Sequence, residues 1–315
     1  MTGRVISLQL PPSLTRISIA FWILAFAPAC ATTGKPMEAA PKPPDKGSEV
    51  GPAPISVSPS PLPLPVFQQS YGPEPVAVKP MILVLGPGMT KAFAHAGVIK
   101  EIVRAKIPVG AIVGTEMGAL IGALYCQDKS ANSLEWKTQK IKESALLDRP
   151  IFGNGPVDGT KLESHLEDLF EKSNEQTELK CPVWIVTRDQ TSGTLRTLRE
   201  GRISRYLRMG FSQPARFKPL MDQGGNTLLT VTDLRDLARE AKTLASGPVV
   251  VVRMDSDIPS QEELSIESDW VISVDVSTVP SDDFRKRSLA IFKGAEAARA
   301  SLDRLRSLTG LGFTP

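Results

Sequence analysis

Histidine and cysteine are scarce in this 315-residue sequence. There are two histidines, His95 and His165, and three cysteines, Cys30, Cys126 and Cys181. No C-x-x-C or H-x-x-x-H spacing occurs, so no metal site is expected, and no cofactor is expected either. Charge of one sign is also lacking. Thirty-seven Lys+Arg stand against 34 Asp+Glu, a net charge of +3. So weak a balance gives no footprint for a nucleic-acid partner. No internal repeat is visible. Hydrophobic residues make up 41%, enough for one large core or two small ones. Cys126 and Cys181 flank apolar segments. They read either as a disulfide, which an oxidising compartment would permit, or as two buried thiols.

Residues 1–29 carry Arg4 and Arg16 as their only charges, ahead of and beside the apolar run ISIAFWILAF at 17–26. That run is too short to span a bilayer and predicts a secretory signal. It ends in Ala27-Pro28-Ala29-Cys30. Small residues before a cysteine resemble a bacterial lipobox, in which lipid is attached to the cysteine and the chain is cut before it, although Ala27 stands where leucine is usual. Ordinary secretion and an uncleaved anchor are the other readings. Lipidation of Cys30 implies a membrane partner and a cell-envelope location. Ala31, rather than aspartate, fits the periplasmic side of the outer membrane of a Gram-negative cell. The expected linker, 30–80, holds 13 of the chain's 27 prolines. Proline fixes φ and removes backbone donors, so polyproline II is expected, a semi-rigid spacer of at most ~150 Å at about 3 Å per residue. A ligand for a proline-reading domain is the sharper alternative.

One folded domain is expected over 81–310, followed by a short tail at 311–315. Residues 81–85 (MILVL) are a buried-strand run, and a helical stripe follows through about residue 104. A second apolar run leads into Val113-Gly114-Thr115-Glu116-Met117-Gly118. Strand, tight glycine turn, helix is the layout of a G-x-S-x-G nucleophile elbow, with glutamate in place of serine. Strand–helix–strand–helix with short turns implies a mainly parallel sheet with helices on both faces. Helices are expected at 133–145, from 157, at 203–210, 233–243 and 282–307. Strands are expected at 182–187, 194–198, 248–254 and 270–276. His95 reads as a packed core residue, and His165 as a solvated one on the polar side of its helix.

Several ordered blocks together resemble the patatin-like phospholipase family. They are LVLGPGMTKAFAHAGV at 83–98, IVGTEMGALIGALY at 112–125, VDGTKL at 157–162 and SQPARFKP at 212–219, with VISVDVS at 271–277 and GAEAAR at 294–299 fitting the tail of bacterial members. The resemblance implies a three-layer α/β/α domain that cleaves lipid acyl esters with a Ser-Asp dyad. The serine sits on the elbow, and the aspartate in a later D-G-G loop. A G-G-G-x-R-G loop supplies the oxyanion hole. Serine must lose its proton as it attacks, and the oxyanion needs preorganised N–H donors at a helix start.

This chain departs from that pattern at each working part. Glu116 occupies the serine position of the elbow framed by Gly114 and Gly118. The loop Gly86-Pro87-Gly88-Met89 puts proline, which has no N–H, where the family has glycine. Lys91 stands for the arginine, and Ala92 for the next glycine. Thr230 falls where the dyad aspartate belongs. Asp222 and Asp233 are substitutes near in sequence, and both also read as turn and helix-cap carboxylates. A carboxylate is a poor nucleophile toward an ester and puts negative charge where an oxyanion must form. The expected function is therefore a membrane-tethered pseudoenzyme that holds a lipid or acyl ligand or a protein partner. An active acyl hydrolase with non-standard residues is the alternative. The Gly86 loop is a weak dinucleotide candidate, because its third glycine is missing.

Overall fold

The computed structural model describes residues 77–148, 155–171, 174–255 and 259–312. The signal-like segment, Cys30 and nearly all of the proline-rich stretch lie outside the described residues. The first half runs β1 (Met81–Leu85), α1 (Ala94–Arg104), β2 (Val109–Gly114), α2 (Glu116–Asp128), α3 (Ala131–Lys140), α4 (Glu143–Leu146) and α5 (Thr160–Leu169). The second runs β3 (Val183–Asp189), β4 (Leu195–Leu198), α6 (Ile203–Gly210), β5 (Leu220–Met221), β6 (Thr227–Thr230), α7 (Leu234–Leu244), β7 (Val249–Met254), α8 (Gln261–Glu267), β8 (Trp270–Val274) and α9 (Arg287–Thr309).

The architecture is the three-layer α/β/α sandwich expected. β1 is apolar at every position because both of its faces are covered. Met81, Leu83 and Leu85 enter the larger core, with side chains of α1, α2, α5, α6 and α9. Ile82 and Val84 enter the smaller one, under α7 and Leu264 of α8. The strand order is β5-β6-β3-β2-β1-β7-β8, with β4 beside β3. β1, β2, β3, β7 and β8 pair in parallel, and β4, β5 and β6 join antiparallel at one side.

One switch of partners positions the site. β3 pairs with β2 through Val183–Ile185 and with β6 through Thr187–Asp189. β4 overlaps both stretches, so it takes the opposite edge of β3. β6 therefore continues along the edge that β2 leaves when the chain turns away at Gly114. Thr230, at the end of β6, is delivered to the end of β2.

Arg208 of α6 locks the neighbouring loops. Its buried guanidinium donates to the carbonyls of Asp158 at 2.6 Å and Lys218 at 2.8 Å and lies over the Phe217 ring at 5.3 Å. The blocks VDGTKL and SQPARFKP are thus parts of one contact.

Two expectations need correction, and one element was not foreseen. His165 is buried rather than solvated, and its Nε2 accepts the Lys142 N–H at 3.0 Å. The helix expected over 133–145 stops at Lys140, because Ile141 is extended, and restarts as α4. α8 had no counterpart in the periodicity, since Leu264 is its only buried residue. The open alternatives for Cys126 and Cys181 resolve in the structure as a disulfide.

Candidate functional site

The elbow is built by close backbone contact. A Cβ on Gly118 would sit 2.3 Å from the Leu85 carbonyl oxygen and 2.5 Å from that of Gly86, so only glycine lets α2 meet the end of β1. Thr115 is extended and Glu116 has φ 49°. A left-handed glutamate costs about 1–2 kcal/mol relative to an ordinary helical residue. The strained turn persists with no serine on it.

Glu116 is 1% exposed and its carboxylate is fully engaged. Oε2 accepts the Gly88 N–H at 2.6 Å and the Met89 N–H at 3.4 Å. Oε1 accepts Nε2 of Gln213 at 2.5 Å. The donors come from the loop after β1 and from the segment after α6, so two separate stretches close around one carboxylate. Met89, like Glu116, has a positive φ, of 50°. Pro87 contributes no N–H, but the donors in use belong to the next two residues, so this cradle loses nothing by it. Lys91 begins a 3-10 turn, Lys91–Phe93, ahead of α1. His95 Nε2 lies 3.0 Å from the Gly86 carbonyl oxygen and braces the loop from below.

Thr230 stands at the same place. Its hydroxyl donates to the Gly210 carbonyl at 2.7 Å, and the Thr115 hydroxyl reaches the same oxygen at 3.5 Å. The two aspartates considered as substitutes are engaged elsewhere. Asp222 accepts from the Asn226 side chain and from the Gly224 N–H inside the β5–β6 turn. Asp233 caps α7 through the Arg235 N–H at 2.9 Å and pairs with the Arg235 guanidinium at 2.7 Å.

Residues 83–242, just over half of the chain, match the family model described as patatin-like phospholipase. The chain belongs to the patatin-like phospholipase family. It is 26% identical over 194 residues to patatin-like phospholipase domain-containing protein 6 of Homo sapiens, covering 59% of this chain and 14% of that protein. It is 31% identical over 153 residues to neuropathy target esterase sws of Drosophila sechellia, covering 47% of this chain and 10% of that protein. The chain thus spans about a seventh or less of the length of these curated relatives. Among solved structures it is similar to VipD from Legionella pneumophila, with 11% identity, a TM-score of 0.47, and coverage of 72% of this chain and 67% of that one.

Electrostatics at the patatin-like elbow follow from burial. Desolvation pushes the Glu116 carboxyl above its ordinary value, and the Gly88 and Met89 N–H groups and the nearby Arg216 guanidinium oppose that only in part. His95, fully enclosed, is held down to about 4 by desolvation against the pull of the Gly86 carbonyl. Gln213 and Arg216 had no role assigned from sequence. Both lie inside the SQPARFKP block that carries part of the family resemblance. A polar residue and a cation there, in the same chain as a glutamate on the elbow, were the signal available. Among the described residues no group of three or more His, Cys, Asp or Glu side chains could hold a metal ion.

Proposed function

We propose that this patatin-like chain has given up acyl-ester hydrolysis and serves as a lipid- or acyl-binding or scaffold protein, held at a membrane through a lipidated Cys30. One observation carries the loss of hydrolysis. The Gly88 and Met89 N–H groups, which stand where the family's oxyanion loop stands, already hold the Glu116 carboxylate. An oxyanion hole works by offering fixed donors to charge that develops in the transition state. Here the donors face a permanent acceptor, and an ester carbonyl would have to displace it. The elbow offers no hydroxyl to attack with. At the base position, the Thr230 hydroxyl cannot take up a proton near neutral pH and is spent on Gly210. The lipid or acyl ligand is supported by the family and by the relatives' names, phospholipase and esterase.

The test is turnover of short-chain nitrophenyl esters and of phospholipid vesicles by the purified chain. The expected rate is the background rate. Glu116→Ser frees the loop donors, and adding Thr230→Asp restores a base, so the double variant is expected to gain ester turnover of at least tenfold over background. Family membership favours the second reading, a hydrolase with non-standard residues. Wild-type turnover that vanishes in Glu116→Gln would establish that reading and end the first.

A further inference from the structure

Two of the three cysteines meet at the far end of the elbow helix. Cys126, in the last turn of α2, is bonded to Cys181, just ahead of β3, across a sequence separation of 55 and with 5.1 Å between the Cα atoms. Both residues are buried, Cys126 at 0% and Cys181 at 4% exposure. The flanking backbone is clamped independently of the sulfurs, because the Lys180 N–H donates to the Cys126 carbonyl at 2.7 Å. The pair is therefore held at bonding distance by the fold itself.

We infer that the native protein is the oxidised form, that it acquires the Cys126–Cys181 bond in an oxidising compartment, and that the bond is a permanent crosslink and not a redox switch. The bond forms by exchange. A thiolate of one cysteine attacks a disulfide-bearing oxidant, and the second cysteine displaces it from the mixed disulfide. The two thiols lose two protons and two electrons, and the oxidant leaves as its dithiol. A switch needs a thiolate that solution reagents can reach. This pair is sealed under α2, so exchange belongs to the open chain, before the domain closes. Cytosolic thiol pools keep such pairs reduced in most cells. The inference thus agrees with the export expected from residues 1–29 while resting on other residues. The crosslink does not use Cys30, so lipid attachment and crosslinking do not compete. It stands or falls separately from the loss of hydrolysis.

The experiment traps the full-length protein with iodoacetamide as its source cells are broken, then digests it without reductant and weighs the peptides. The expected result is one linked pair containing Cys126 and Cys181, which gains two alkyl groups only after reduction. Recovery of both peptides already alkylated would overturn the inference. A second measurement exposes the folded protein to dithiothreitol. The link is expected to survive until guanidinium unfolds the domain, and rapid reduction of the folded protein would overturn its permanence.

Discussion

At the scale of a residue, Glu116 and His95 give the site opposite responses to pH. Burial raises the Glu116 carboxyl above the ordinary glutamate value of 4.5. The folded chain holds that proton more tightly than the unfolded chain. The resulting stability is complete below about pH 4.5 and is lost as pH rises through the folded value. His95 is held at about 4, below its ordinary 6.5. Its contribution is present above about pH 6.5 and is lost as pH falls toward 4. Glutamine at 116 keeps an oxygen for the Gly88 N–H and carries no charge. Glu116→Gln should therefore gain on the wild type as pH rises above about 4.5, while both lose stability together toward pH 4 through His95. Melting temperatures of the two proteins across that range decide it, and a constant gap would show that the carboxyl is not perturbed. The presence of Glu116 on the elbow was legible in the sequence. Its state was not, because that depends on Gln213, 97 residues away, and on a loop after a different strand.

At the scale of an element, the decisive packing is α1 against α9, which lies beyond the residues matched by the family model. A Cβ on Gly294 would fall 1.9 Å from the Ala94 carbonyl oxygen, and one on Gly97 would fall 1.9 Å from that of Ile291. The helices cross backbone to backbone, and Arg299 of α9 clamps Glu101 of α1 with two bonds, of 3.0 and 3.2 Å. Alanine is the better helix former by about 1 kcal/mol. Overpacking a close-fitted contact costs about 1–3 kcal/mol, and backbone atoms cannot turn aside as a side chain can. The packing cost should win. Gly294→Ala is expected to destabilise the domain by about 2 kcal/mol, read as a lower denaturant midpoint with an unchanged slope. An increase in midpoint would mean that the helices stand further apart. Local pattern was a good guide where an apolar stripe faces the core. The eight residues Ile203–Gly210 match the expected helix because Ile203, Leu207 and Gly210 all turn inward. It failed at α8, whose one signal was the capping box of Ser260 with Glu263.

At the scale of the whole molecule, the parallel order of β1, β2 and β3 follows from strands alternating with helices, and it was legible for that reason. The route by which β6 extends the edge of β2 was not, since it needs β3 to change partners midway. The disulfide is of the same kind. Two flanking thiols admit a bond, and only the assembled sheet and elbow helix bring them together. Its energetic weight can be set by loop closure. A crosslink over a separation of 55 residues removes about 4 kcal/mol of denatured-chain entropy. Against a typical total of about 5–15 kcal/mol that is a large share. For a domain of this size it corresponds to about 10 °C in melting temperature. Wild type refolded as the dithiol should lose about that much. Cys126→Ala with Cys181→Ala should lose about 1 kcal/mol more, because the deleted sulfurs leave a small void under α2. Comparing oxidised, reduced and double-variant proteins in one calorimetric series separates the two contributions. Equal melting of the oxidised and reduced forms would mean that the Lys180–Cys126 backbone bond and the packing of α2 already hold the helix, with the crosslink adding nothing to the folded domain.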